Sequence, residues 1–88
     1  MGTIVTAYAL PREDDIIRVG VVAGRGVGGA VGRNRARRLI REAWRVLSGR
    51  SRGGVDLVVV ARSAVDGKKL QDVAEELEAL LTQAGVIE

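Results

Sequence analysis

From Gly24 to Arg45 the chain reads GRGVGGAVGRNRARRLIREAWR, a glycine-rich lead-in that passes without a break into an arginine-loaded helical pattern. An α-helix turns about 100° per residue, and on that wheel Ile40, Ala43 and Leu47 fall within about 40° of Ala36, forming one apolar stripe that should face a core. On the opposite side stand Asn34, Arg38, Arg41 and Arg45, with Arg37 at the shoulder, while Arg33 and Arg35 flank the stripe near the helix start. The pattern predicts a helix from Gly29 or Ala30 to Leu47, ended by Ser48 and Gly49.

A charged helix face is ordinarily a solvated face of mixed sign. This one is not mixed. Between residues 18 and 52 ten arginines oppose a single carboxylate, Glu42, leaving +9 there, while the rest of the chain, four cations against ten carboxylates, carries −6. Arg33 and Arg35 also sit where the helix dipole disfavours cations by about 0.3–1 kcal/mol each. A helix alone gains nothing from that arrangement. An incoming polyanion does, because guanidinium forks, exposed amides and the dipole all attract phosphate at the same place. The segment therefore reads as a nucleic-acid-binding surface. Glu42, four residues after Arg38, is expected to pair with it along the helix.

With Arg33-Asn34-Arg35 on the page, followed by Ala36-Arg37-Arg38-Leu39-Ile40-Arg41-Glu42-Ala43-Trp44-Arg45 and preceded by Arg18-Val19-Gly20 and Gly28-Gly29-Ala30-Val31-Gly32, the chain strongly resembles the protein subunit of bacterial ribonuclease P. The family's RNR signature, basic pair, two aliphatics, Arg-Glu-Ala and aromatic are all present in order. Val55-Asp56-Leu57-Val58-Val59-Val60-Ala61-Arg62 fits as well, and the resemblance covers about residues 3–85.

Eighty-eight residues make one small domain, 1–88, with little room for a deep catalytic cleft. No His and no Cys are present, which removes the usual general base, thiolate nucleophile, zinc sites and disulfides. There is no long apolar run and no charged leader before the first strand-like stretch. These features predict a soluble, cytoplasmic protein without a membrane partner.

Residues 3–10 are rich in β-branched types and read as a strand stopped by Pro11. After a polar turn, residues 16–23 read as a second strand antiparallel to the first, with Ile17, Val19, Val21 and Ala23 on one face and Arg18, Gly20 and Val22 on the other. A solvated face explains Arg18 beside Gly20 as well as a ligand surface does. Gly24, Gly26 and Gly29 mimic a dinucleotide fingerprint, but no acidic residue follows at the end of a next strand and no Gly-Lys-Ser/Thr follows either. A flexible anion-accepting turn is the better reading.

Trp44, about 80° from the stripe centre, suits core packing better than base stacking. Arg50 and Arg52 extend the basic zone through the 49–54 loop. Residues 55–61 are near-continuously apolar, as in a central strand covered on both faces. A last helix, about 67–84, is expected to be capped by Asp66 and stopped by Gly85, burying Leu70, Val73, Leu77, Leu80, Leu81 and Ala84. Its wet side holds Asp72, Glu75, Glu76 and Glu78, an acidic surface that would repel RNA.

The fold class expected is α+β: a small mixed sheet with a basic helix in a β-α-β crossover and a C-terminal helix. Such crossovers are right-handed by default, whereas the resemblance implies a left-handed one carrying the RNR helix, in a fold shared with the second domain of a small-subunit ribosomal protein. The resemblance further implies an accessory role. Such proteins bind a catalytic RNA and the 5′ leader of precursor tRNA, and the RNA with Mg²⁺ performs the hydrolysis. Arg33, Asn34, Arg35, Arg37, Arg38, Arg41, Arg45 and Arg25 are then the RNA contacts, Tyr8 and Arg18 the leader contacts, and no residue is catalytic or binds a metal. A generic RNA-binding module and a small nucleotide-binding protein are the competing readings.

Three departures from the family pattern stand out. Gly24-Arg25-Gly26 replaces the usual Ser/Ala-Lys-Lys, Gly29 replaces a frequent Asn, and the family's N-terminal helix with its leader-facing phenylalanines has no counterpart in a sequence without Phe. A sheet face left uncovered in this way is expected to favour self-association.

Overall fold

Three apolar, β-branched segments, Val5–Pro11 (β1), Ile17–Ala23 (β2) and Val55–Ala61 (β3), form one sheet in the computed structural model, which describes residues 4–88 apart from the side chain of Arg25. Position 3 of the expected first strand lies outside the described residues. The strand order is β1-β3-β2, with β3 antiparallel to β1 and parallel to β2. β2 therefore does run antiparallel to β1, yet the two do not pair, because β3 is inserted between them. As expected the strand stops at Pro11, which as the last residue of an edge strand still lies opposite Val55.

The two-residue alternation sorts the sheet into two faces. Val5, Val55, Leu57, Val59, Ala61 and Ala23 point to the buried side. Rows across the other side read Thr6-Val60-Val22, Tyr8-Val58-Gly20 and Leu10-Asp56-Arg18. Asp56, Val58 and Val60 are only half-buried. The expectation of a central strand covered on both faces is thus corrected: β3 is central, but the helices cover one face of it.

Ala30–Leu47 (α1) buries Ala36, Ile40, Ala43 and Leu47 against that covered face, as its periodicity predicts. It packs on α2 (Leu70–Gln83) and β2, while α2 packs on β1. Ile40, Leu77 and Leu81 are fully buried where these layers meet, each contributing about 1.5–3 kcal/mol relative to exposure. Helix α1 does not end on a left-handed glycine at Gly49; it tightens into a 3₁₀ turn, Ser48–Arg50.

Helix α2 begins later than expected. Asp66 is not its cap: it closes the 3₁₀ turn Ser63–Val65, and Gly67, at φ +76°, redirects the chain. The cap position is Lys69, whose backbone N–H donates to Asp72 Oδ2 at 2.9 Å. Gly85 does stop the helix, at φ +78°. Ala84, assigned to the buried stripe, is exposed. Glu76, assigned to the wet side, turns inward, and its Oε2 accepts the N–H groups of Ile4 at 2.6 Å and Val5 at 2.8 Å. Val86 and Ile87 then fold back into the core, Ile87 bridging to Ser51.

Two glycines lock the loops at one end of the sheet. Gly53 and Gly54 have φ of +73° and +66°, and a Cβ on them would lie 2.6 Å from Asp15 O and 3.0 Å from Asp14 O. Only glycine fits there.

Candidate nucleic-acid interface

Helix α1 projects Asn34, Arg38, Arg41 and Arg45 into solvent. With Arg37 and Glu42 they line an open groove of about 380 Å³. The expected ion pair of Arg38 with Glu42 does not form; among the described residues the ion pairs are Arg12–Asp14, Arg12–Asp56, Arg18–Asp56 and Arg50–Glu78. None involves an arginine of α1. Among the described residues the helix face thus forms no ion pair, and Glu42 is the one carboxylate lining its groove.

The three RNR residues divide their work. Arg33 Nη1 donates to Gly28 O at 2.9 Å and so closes the glycine turn onto the helix. Arg35 Nη2 donates to Lys68 O at 2.6 Å, tying α1 to the loop before α2. Asn34 Oδ1 accepts from Arg37 Nη2. A guanidinium has five N–H donors, so Arg33 and Arg35 retain both their charge and most of their donors.

The helix start is open. Gly29 at the cap position supplies no side chain, and the first turn contains no acidic residue, which leaves backbone N–H groups available to an anion. Before it, residues 25–27 form a 3₁₀ turn anchored by buried Val27, and the space around Gly24, Gly26, Gly28 and Gly29 is empty to 4 Å beyond a would-be Cβ. The side chain of Arg25 lies outside the described residues. At the far end Arg50 is not free to extend the basic zone, since Nη1 meets Glu78 and Nε donates to Glu88 O at 2.9 Å. Arg52 is exposed. Trp44 packs half-buried against the core, as its place on the helix predicts. The acidic side is also smaller than expected, because Glu76 faces inward and Glu78 is paired.

A second surface is the uncovered sheet face. Tyr8 is 58% exposed there and Leu10 65%, beside a shallow depression of about 450 Å³ lined by Leu10, Arg18, Gly20, Asp56 and Val58. Gly20 has an ordinary backbone conformation, and the nearest atom to a Cβ placed on it would be 3.9 Å away, so packing does not require glycine at this position. Arg62 stands at the other end of the face, its Nη1 donating to Thr6 Oγ1 at 3.2 Å.

Sequence reasoning missed one set of residues on this face. Arg12 donates through Nε and Nη2 to Asp14 and through Nη1 to Asp56 Oδ1, each at 2.8 Å, and the same Asp56 oxygen accepts Arg18 Nε at 3.3 Å. The hydrogen bond from Arg12 holds the Asp14 carboxyl down to about 2, and Arg12 likewise lowers Asp56, with Arg18 contributing less. Alternation puts Asp56 and Arg18 on like-numbered positions, but only the β2–β3 register brings residues so far apart in the chain side by side.

Comparison with known proteins agrees with this geometry. The family model for Ribonuclease P matches residues 2–85. The ribonuclease P protein component of Symbiobacterium thermophilum is 44% identical over 71 residues, covering 81% of this chain and 62% of the relative. That of Clostridium acetobutylicum is 37% identical over 73 residues, covering 83% and 61%. The chain thus spans about six tenths of the length of these two relatives. Among solved structures, the Staphylococcus aureus RNase P protein superposes with a TM-score of 0.86 at 27% identity, covering all of this chain and 81% of the other. The Thermotoga maritima RNase P protein gives 0.84 at 28%, covering 94% and 79%. A basic helix between two parallel strands, an RNR motif at its start and matches of this extent have one consistent source: the chain belongs to the ribonuclease P protein family.

Proposed function

We propose that this chain is the protein subunit of a ribonuclease P, binding the catalytic RNA and the 5′ leader of precursor tRNA to assist 5′ maturation of tRNA. The observation that carries the proposal is the row of α1 arginines, none of which forms an ion pair among the described residues. Arg37, Arg38, Arg41 and Arg45 with Asn34 offer their forks to the phosphates of the folded RNA, and Arg33 and Arg35 add charge while shaping the helix start. Arg25 extends the contact along the glycine turn. Tyr8 and Arg18 receive the leader, the ring under a base and the guanidinium against a phosphate.

The hydrolysis belongs to the RNA subunit. Mg²⁺ is assigned to the RNA along with that hydrolysis; among the described residues there is no group of three or more His, Cys, Asp or Glu side chains that could hold a metal ion. The cytoplasm, where precursor tRNA is trimmed, is the proposed location; no helix among the described residues is long and apolar enough to cross a membrane. Tyr8, Leu10 and Val22 on the open sheet face also support self-association. Sedimentation at rising concentration checks that part, and a strict monomer throughout contradicts it.

Reconstitution tests the main proposal. Added to a bacterial ribonuclease P RNA at low Mg²⁺, the chain should stimulate removal of the leader from precursor tRNA. Tight RNA binding without stimulation would favour a general RNA-binding module instead.

A further inference from the structure

Arg18 and its neighbours form a chain of alternating charge, Asp14–Arg12–Asp56–Arg18, laid across one end of the open sheet face. Every part of the Arg12 guanidinium is engaged, and its side chain is only 18% exposed. Arg18 is the opposite case. Its side chain is 71% exposed and is held through Nε alone, which leaves both terminal nitrogens without a partner among the described residues. Arg18 lines a depression whose floor Gly20 leaves bare. A guanidinium gripped at Nε and free at its terminal nitrogens keeps donors available for a phosphate.

A carboxylate on a surface that receives a polyanion would ordinarily oppose binding. Here its charge is met from two sides by Arg12 and Arg18, so what remains is its grip. We infer that Asp56, itself held by Arg12, is a positioning residue that presents Arg18 to a backbone phosphate of single-stranded RNA lying on the sheet face. The inference rests on the proposed leader-binding role of that face. It gives Asp56 a sign opposite to that expected from net charge: removing this negative charge weakens the binding of a polyanion.

The test is the binding of a short fluorescein-labelled oligouridylate at modest ionic strength to the full chain, Asp56→Asn, Arg18→Gln and the double variant. Each single variant is expected to bind about threefold more weakly, the loss typical of one exposed charged contact. The double variant should bind no more weakly than Arg18→Gln, and affinity for folded ribonuclease P RNA should be the same in Asp56→Asn as in the parent. Tighter binding by Asp56→Asn, or an equal loss with and without Arg18, overturns the inference while leaving the leader face intact. An Arg18→Gln variant that binds as well as the parent overturns the leader reading and the inference together. Should Asp56→Asn not fold, Asp56→Glu keeps the charge and moves the carboxylate by one methylene. The same Arg18-dependent loss is then expected, and an Arg18-independent one contradicts it.

Discussion

Gly32 shows how a single residue can carry a constraint that composition hides. It lies inside α1, where glycine costs about 1 kcal/mol relative to alanine, so Gly32→Ala would ordinarily stabilise the helix. A Cβ there would stand 2.9 Å from Val27 O, the carbonyl of the turn that leads into the helix. Backbone must move to admit it, and forced packing of this kind costs typically about 1–3 kcal/mol. Gly32→Ala is therefore expected to lower stability in chemical denaturation, and a rise in midpoint would contradict the close approach. The Asp14 and Asp56 carboxyls yield a second prediction. Their folded pKa values lie below the ordinary range, so the stability they contribute is complete above about pH 4 and fades as pH falls towards about 2, the value of Asp14. Thermal melts should show Asp14→Asn below the parent at pH 5 and converging with it near pH 2. A gap that persists unchanged at low pH would mean the Arg12 network contributes nothing of this kind. Neither feature was legible in the sequence: the first needs the turn's path, the second the strand register.

Among the elements, α1 was the most legible because its stripe repeats cleanly over 18 residues and its cationic side carries a single opposing charge, Glu42. The start of α2 was misplaced because Asp66 looks like a cap, while Asp72 reaches back to the Lys69 N–H and defines the true first turn. Glu76 was misread for a geometric reason. It sits about 100° from Leu77 on the helical wheel, at the shoulder of the stripe rather than opposite it, where a flexible carboxylate can swing to either side. It swings to β1. Glu76→Ala should cost about 1–3 kcal/mol by leaving the Ile4 and Val5 N–H groups without this acceptor, and hydrogen exchange of those two amides should rise. Unchanged exchange would show that α2 does not hold the start of β1.

Across the whole molecule, residues 18–52 carry +9 and the rest of the chain −6. The acidic residues are partly consumed in holding the fold, through Glu76 on β1, Glu78 on Arg50, and Asp14 and Asp56 on Arg12. The arginines of α1 are left out of that accounting of ion pairs, so the helix meets a polyanion without first breaking internal bridges. At this scale the sequence marked β3 as central but left the partner of β1, and so the order β1-β3-β2, open, since adjacency of a hairpin and adjacency through a crossover look alike until pairing is seen. The open face, with Tyr8 and Arg18 on it, follows from that order.

The most direct test of the account is the salt dependence of binding to ribonuclease P RNA by the parent chain, Arg38→Ala and Arg41→Ala. With about six arginines meeting phosphates, log K should fall against log salt with a slope near −4 to −5, and each variant should bind more weakly with a slope shallower by about 0.7–0.9 while melting at the parent's temperature. Slopes that stay the same in both variants would remove the α1 face from RNA binding.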